Sequence, residues 1–306
     1  MDQASKIGLF VFNQGDEYHR RLAEEAEEAA RQHGVPVQVF DAVDTAAKQA
    51  QDLVRFAIEN PGKRLCALVV PFADALAEGA AIQDDATYRL ARRVLQKGVG
   101  WIMLNHGRED LVPALRDEFP SLPLALVAID NVEFGRIQAR QLRRLVPAGA
   151  KVLCVRGNPF DSGCRERTAG LKEGLQDAGI SLEDVDGRWD AAITEAAVLR
   201  WISSPLRRQA PLHAVVAQDD VMGAAARRVL TRAAQELGRA DLKGIPVLGG
   251  DGLPGMGRRW VDEGILTATV SVTLPGKTAV DLVWRHWHDS APLPAVTRLA
   301  PTPYPR

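Results

Sequence analysis

The strongest constraint in this sequence is a rhythm that starts twice. Continuous apolar runs of strand length alternate with segments of helical period. The run 7–12 is followed by DEYHRRLAEEAEEAARQH (16–33), whose apolar positions recur at helical spacing and which Gly34 closes. Strands are expected at 35–40, 65–70, 101–104 and 124–129, and helices near 45–59, 84–97 and 109–118. The runs are apolar throughout rather than alternating, so both faces of the sheet are covered. That is the signature of a parallel α/β sheet. The pattern then restarts. Helices are expected at 133–145, 164–178, 191–202, 220–237, 255–263 and 275–289. They enclose strands at 151–155, 183–186, 213–217, 245–248 and 267–272, and a proline-rich tail ends the chain. Two successive α/β sheets of similar size are therefore predicted, with the boundary at Asp130-Asn131.

Length agrees with this division, because single cores usually stop growing at about 250–300 residues and this chain has 306. The composition is 46% apolar and 25% charged, which is that of an ordinary globular protein. A formal charge of −1 offers no electrostatic footprint for nucleic acid or an anionic membrane. No apolar run reaches the roughly 18 residues of a membrane span, so direct membrane insertion is not expected. The opening MDQASKIGLFVFNQ lacks the basic flank, apolar core and cleavage site of a secretory signal. The expectation is a cytoplasmic location if this start is native, and a periplasmic one if a leader has been removed.

Cys66, Cys154 and Cys164 form no C-x-x-C pair. Cys66 and Cys154 sit in strand-like runs and read as small core residues. Cys164, in a polar stretch, reads as a possible free thiol. His286 and His288 flank Trp287, but positions i and i+2 lie on different faces of a helix. No metal site or cofactor is expected.

In open parallel sheets, ligands bind beyond the carboxyl ends of the strands. Those positions hold Asn13, Gln14, Glu17, Tyr18, Pro71, Phe72, Asp74, Asn105 and His106. The second half adds Asn158, Phe160, Asp161, Arg167, Trp189, Asp219, Asp220, Asp251 and Thr273. Amides and carboxylates can each take two adjacent hydroxyls, arginine supplies a rigid fork of donors, and aromatic faces suit the C–H side of a sugar ring. The set fits a neutral polyol. The bland reading of each Asp or Asn is a helix cap, and of Tyr18 and Trp189 half-buried packing. No nucleophile elbow, Walker loop or H-E-x-x-H is present.

Gly250-Asp251-Gly252-Leu253-Pro254-Gly255 matches G-x-G-x-x-G, the dinucleotide fingerprint. The match is poor in context. It comes late in the chain, no acid stands about 20 residues on, Asp251 would face a pyrophosphate, and Pro254 removes an N–H. The glycines instead turn the chain sharply off the sheet, leaving Asp251 as the working residue.

Several segments together resemble the type I periplasmic-binding-protein superfamily. They are IGLFVFNQGDEYHRRLAEEAEEAA (7–30), LVAIDNVEFGRIQARQL (126–142), VRGNPFDSGCRERTAGLKEGLQDAGI (155–180), VVAQDDVMGAAARRVL (215–230) and VLGGDGLPGMGRRWVDEGILTATVSVTLPGKTAVDLV (247–283). Within it, the chain is most similar to the ribose- and galactose-binding-like proteins of ABC importers and to the ligand-binding halves of lactose-repressor-type regulators. The resemblance implies two Rossmann-like, doubly wound parallel-sheet domains joined by three crossover strands, with a ligand cleft between them. The N-terminal lobe would be 1–129 plus 274–295, and the C-terminal lobe 130–273 plus 296–306. It implies that Asn13 hydrogen-bonds ligand hydroxyls and Tyr18 stacks on the ring. Glu17 takes a position often aromatic, and Asn105 and His106 take the place of an Asp-Arg pair. Arg167 becomes the ligand arginine, Trp189 a cleft aromatic, Asp219 the polar residue of the Q-N-D turn, and Asp251 the aspartate of the glycine turn. Glu17, Asn105, His106, Gly250 and Val272 depart from the family's pattern.

The implied activity is non-catalytic. A small polar ligand, a monosaccharide or related polyol, is bound with hinge closure and delivered to the membrane subunits of an ABC-type importer. Two other readings stand beside it. One is a cytosolic ligand-sensing regulatory domain without a DNA-binding half. The other is an NAD(P)-dependent or glycoside-acting enzyme, the latter needing two carboxylates such as Asp219 and Asp251 to flank one bond.

Overall fold

The structure, a computed structural model, describes residues 4–72, 81–107, 109–206 and 210–305. Asp74, singled out above, lies outside them. The chain begins with β1 (Ser5–Val11), α1 (Glu17–Gln32), β2 (Val37–Asp41), α2 (Ala46–Glu59), β3 (Arg64–Val69) and α3 (Ala86–Leu95). It continues with β4 (Val99–Asn105), α4 (Leu111–Glu118), β5 (Leu124–Ile129), α5 (Asn131–Leu145), β6 (Lys151–Arg156) and α6 (Ser162–Leu175). Then come β7 (Ser181–Asp186), α7 (Ala191–Ser203), β8 (Ala214–Ala217), α8 (Asp220–Glu236) and β9 (Val247–Leu248). The chain ends with α9 (Arg259–Asp262), β10 (Thr269–Ser271), α10 (Pro275–His288), β11 (Val296–Leu299) and β12 (Thr302–Tyr304). Among the described residues no helix is long and apolar enough to cross a membrane.

The chain divides into two compact units, Met1–Ile129 with Leu274–Leu299, and Asp130–Thr273 with Ala300–Arg306. It therefore passes from one to the other three times. The first unit holds a parallel six-stranded sheet in the order β11-β5-β4-β3-β1-β2. Every residue of β5 is buried, as a strand covered on both faces requires. Helix α1 shows how sequence sets an element. Asp16 caps it, its carboxylate accepting from His19 N at 3.1 Å, and Leu22, Ala23, Ala26, Ala29 and Ala30 are its buried positions.

The second unit holds a parallel sheet in the order β7-β6-β8-β9. Isolated parallel bridges Leu248↔Ala268 and Asp251↔Ser271 continue it towards β10, which pairs antiparallel with β12. Helices α5 and α6 meet at glycine. A Cβ on Gly135 would lie 2.1 Å from Arg167 O, and one on Gly170 would lie 2.0 Å from Val132 O. Only glycine permits that approach, and it lays Arg167 against the first turn of α5.

Two details differ from the sequence reading. Residues 296–299 belong to the first unit, because β11 pairs with β5 through Val296↔Leu126 to Leu299↔Ile129. The third passage therefore follows Leu299 rather than residue 295. The proline-rich tail also contains two strands. Neither has an apolar run, because β11 lies at the sheet edge and β12 pairs on one side only, where proline and exposure are tolerated.

Candidate functional site

In the first unit, the strand ends gather a polar and aromatic set. Asn105 closes β4 with φ 70°, a left-handed backbone that asparagine tolerates better than most residues. Its Oδ1 accepts from the Tyr18 hydroxyl at 2.9 Å. His106 is buried, with Nε2 2.7 Å from Pro71 O. Phe12 lies against His106, His19 and Phe72, with ring centroids 6.1, 5.1 and 4.4 Å away. The structure therefore joins Tyr18 to Asn105 and sets His106 against Phe12.

Asn13 and Glu17 make other contacts within the first unit. Asn13 Oδ1 accepts from Gly15 N at 2.8 Å in the β1–α1 turn, and its Nδ2 donates at 2.6 Å to Asp44 in the β2–α2 loop. Glu17 pairs with Arg20 one turn along α1. Asn13, which the resemblance makes a ligand contact, ties the β1–α1 turn to the β2–α2 loop through its amide.

The second unit is organised around Arg167, which is 5% exposed. Its Nε donates to Asn131 Oδ1 at 2.9 Å, its Nη1 donates to Gln218 O, and its Nη2 lies 3.0 Å from Asp251 Oδ1. The guanidinium carbon sits 3.9 Å from the Phe134 ring centroid and 5.6 Å from that of Trp189. This combination of fork and face is available to arginine and not to lysine. Trp189 has φ 64°, and its indole packs so closely on Gly157 that a Cβ there would lie 2.0 Å from the ring. Asp219 caps α8, Oδ1 accepting from Met222 N at 2.6 Å. For this residue the cap reading accounts for one carboxylate oxygen.

The stretch GGDGLPG is a turn keyed to a buried acid. Asp220 has no exposed surface. Its Oδ1 accepts from the Thr269 hydroxyl at 2.6 Å and its Oδ2 from Gly252 N at 2.8 Å. Cβ atoms on Gly249 and Gly257 would fall 2.3 and 1.8 Å from those oxygens. Burial first, then the neighbouring Asp251 charge, push the Asp220 carboxyl well above its ordinary range, against the pull of the Thr269 hydrogen bond. The glycines make room for a carboxyl rather than for phosphate, and Asp251 rides the turn at φ 80°. The segment after it is a π-turn over Pro254–Arg258 running into α9, not one regular helix.

Sequence reasoning missed Asn131, Phe134 and Gln218, which hold Arg167, and Phe12, which seats the aromatic set. Asn131 reads in the sequence only as part of the boundary at Asp130-Asn131, because its partner stands 36 positions away. Cys164 is buried in α6 and not in an open loop, and burial raises its thiol to about 11. His286 and His288 each contact a backbone carbonyl, of Ala291 and Trp284. Among the described residues no group of three or more His, Cys, Asp or Glu is placed to hold a metal ion.

The comparisons agree with this architecture. A family model described as periplasmic binding protein domain matches residues 7–289. The putative rhizopine-binding protein of Rhizobium meliloti is 24% identical over 280 residues, covering 90% of this chain and 79% of that protein. The ribose import binding protein of Salmonella typhimurium is 30% identical over 145 residues, 47% of this chain and 45% of its own length. The crystal structure of a Caulobacter myo-inositol binding protein bound to myo-inositol superposes with a TM-score of 0.77 at 22% identity, covering 99% of this chain and 94% of that one. With strands, helices and passages in this order and a family model spanning nearly all of it, the chain belongs to the periplasmic binding protein domain family.

Proposed function

We propose that this chain binds one small polyhydroxylated ligand, a monosaccharide or cyclic polyol, without chemical change, and delivers it to the membrane subunits of an ABC-type importer. The candidate contacts are Tyr18, Asn105 and His106 in the first unit and Arg167, Trp189, Asp219 and Asp251 in the second. The observation that carries this reading is the Arg167 cluster. A buried guanidinium, fixed by Asn131 and Gln218 and set against Asp251, is a preorganised donor–acceptor pair for adjacent hydroxyls. The names of the relatives, ribose import and rhizopine binding, and the myo-inositol held by the structural neighbour support the ligand class.

Hydrolysis is disfavoured by the same contacts. Asp251 is paired with the Arg167 guanidinium, and Asp219 accepts from the N-terminus of α8. A glycosidase needs two carboxylates flanking one bond, and these two are committed to a guanidinium and a helix cap. An import role would place the mature protein outside the inner membrane, which fractionation of cells expressing the natural gene tests. The ligand reading is tested by thermal shift against D-ribose, myo-inositol and a wider sugar panel, with NADH alongside. At 100 times Kd a ligand stabilises by about 2.7 kcal/mol. A shift with NADH and none with any sugar or polyol overturns the proposal.

A further inference from the structure

Gln138 lies in the middle of α5 with no exposed surface. Its Nε2 donates to two backbone carbonyls, Ala217 O at 2.8 Å and Gly249 O at 2.9 Å. Carbonyl oxygens only accept, so the NH2 end of the amide must face them. Those carbonyls end β8 and follow β9, two strands whose pairing is short, Val215↔Val247 and Val216↔Leu248. Immediately beyond them the chain supplies Gln218 and Asp219 on one side and Gly250 and Asp251 on the other. No ladder bond of that pair reaches these turns. The single amide of Gln138 spans the two strand ends instead, tying them to each other and to the helix whose first turn holds Asn131 against Arg167.

We infer that Gln138 is a positioning residue for the ligand: its amino group fixes the spacing of the turns that carry Asp219 and Asp251. This rests on the functional reading above for what the turns bind, but not for the spacing itself. Gln141, one turn further along α5, is an internal control. It is also buried, and its Nε2 donates to Thr269 O at 2.9 Å, a carbonyl of β10 that carries no candidate ligand group. In both glutamines Oε1 has no hydrogen-bond partner; the amino group of Gln138 holds two carbonyls at the strand ends and that of Gln141 one carbonyl of β10.

The test uses Gln138→Met and Gln141→Met, which keep side-chain length and remove the donors. In the ligand-free chain, amide hydrogen exchange in 217–220 and 249–252 should accelerate in Q138M and not in Q141M, although both lower the melting temperature. With D-ribose or myo-inositol as probe, whichever shifts the parent chain, Q138M should bind about tenfold more weakly, the worth of one good hydrogen bond, and Q141M should bind as the parent does. Equal exchange in both variants, or equal affinity losses, would make Gln138 merely structural and overturn the inference. If Q138M fails to fold, Gln138→Lys keeps a donor and lacks the unused acceptor; exchange in both turns as fast as in a folded Gln138→Leu chain overturns it too. Binding of no sugar or polyol of the panel by the parent chain refutes the functional reading, while the exchange result still decides the role of Gln138.

Discussion

Arg167 Nη2 lies 3.0 Å from Asp251 Oδ1, and the two residues reach that distance from opposite constraints. Arg167 is fixed by its side chain, gripped by Asn131 and Gln218 O. Asp251 is fixed by its backbone, held at φ 80° on a turn built around Asp220. Neither depends on the other for its place, which is what a site prepared before its ligand arrives requires.

Removing the arginine should therefore cost more than a contact. Arg167→Ala leaves Asp251 and the Asn131 amide facing a void, and breaking a buried charge pair costs roughly 3–5 kcal/mol. Arg167→Lys keeps the charge but not the fork, and is expected to recover stability in part and ligand binding hardly at all. Melting curves and calorimetric titration of both variants separate the two effects; a lysine variant that binds as well as the parent would contradict the fork argument.

Backbone and side chain of Asp251 can be tested apart. Asp251→Ala forces a left-handed conformation on a residue that resists it, at a cost of about 1–3 kcal/mol, whereas Asp251→Gly does not. Both should lose ligand. The glycine variant should melt higher than the alanine variant, as thermal denaturation reads directly.

Asp220 gives the stability curve a slope. In the unfolded chain it titrates near its ordinary value of 3.8, while in the fold burial holds its proton to higher pH. The folded state thus binds more protons across that window, so the contribution is complete below about pH 3.8 and is lost as pH rises through the raised value. Asp220→Asn, the shape of the protonated acid, should flatten this fall when denaturant midpoints are compared between pH 5 and 8. Asp220→Ala, which also abandons the Thr269 and Gly252 donors, should destabilise at every pH.

Gly157→Ala should move the indole of Trp189, because the added Cβ would stand 2.0 Å from the ring. The expected signature is a shifted tryptophan emission and weaker ligand binding, with the far-ultraviolet circular dichroism unchanged. An unaltered emission spectrum would mean that Trp189 does not rest on Gly157 in solution.

Tyr18→Phe removes the hydroxyl that donates to Asn105 and should cost about 0.5–1.5 kcal/mol of stability. Ligand affinity should fall as the Asn105 amide loses its fixed orientation, which titration calorimetry measures.

By itself the sequence determined the alternation of elements, because continuous apolar runs and helical spacing are local and near in the chain. The helix over 16–33, the all-buried strand at 124–129 and the glycine turn at 249–252 were all legible this way. It also placed Asn105 and Asp251 just past strands, and Tyr18 and Arg167 on the helices that follow strands, where a parallel sheet gathers its ligand side. Tertiary structure alone decided what those residues touch. Asn131 meets Arg167 across 36 residues and Gln138 meets Gly249 across 111. Asp220, read as one more polar residue after a strand, became the buried anchor of the glycine turn. Periodicity reports which face of an element is buried; it carries no information about which distant carbonyl or carboxylate will complete a hydrogen bond, and that pairing is fixed only when the helices and sheet close on each other.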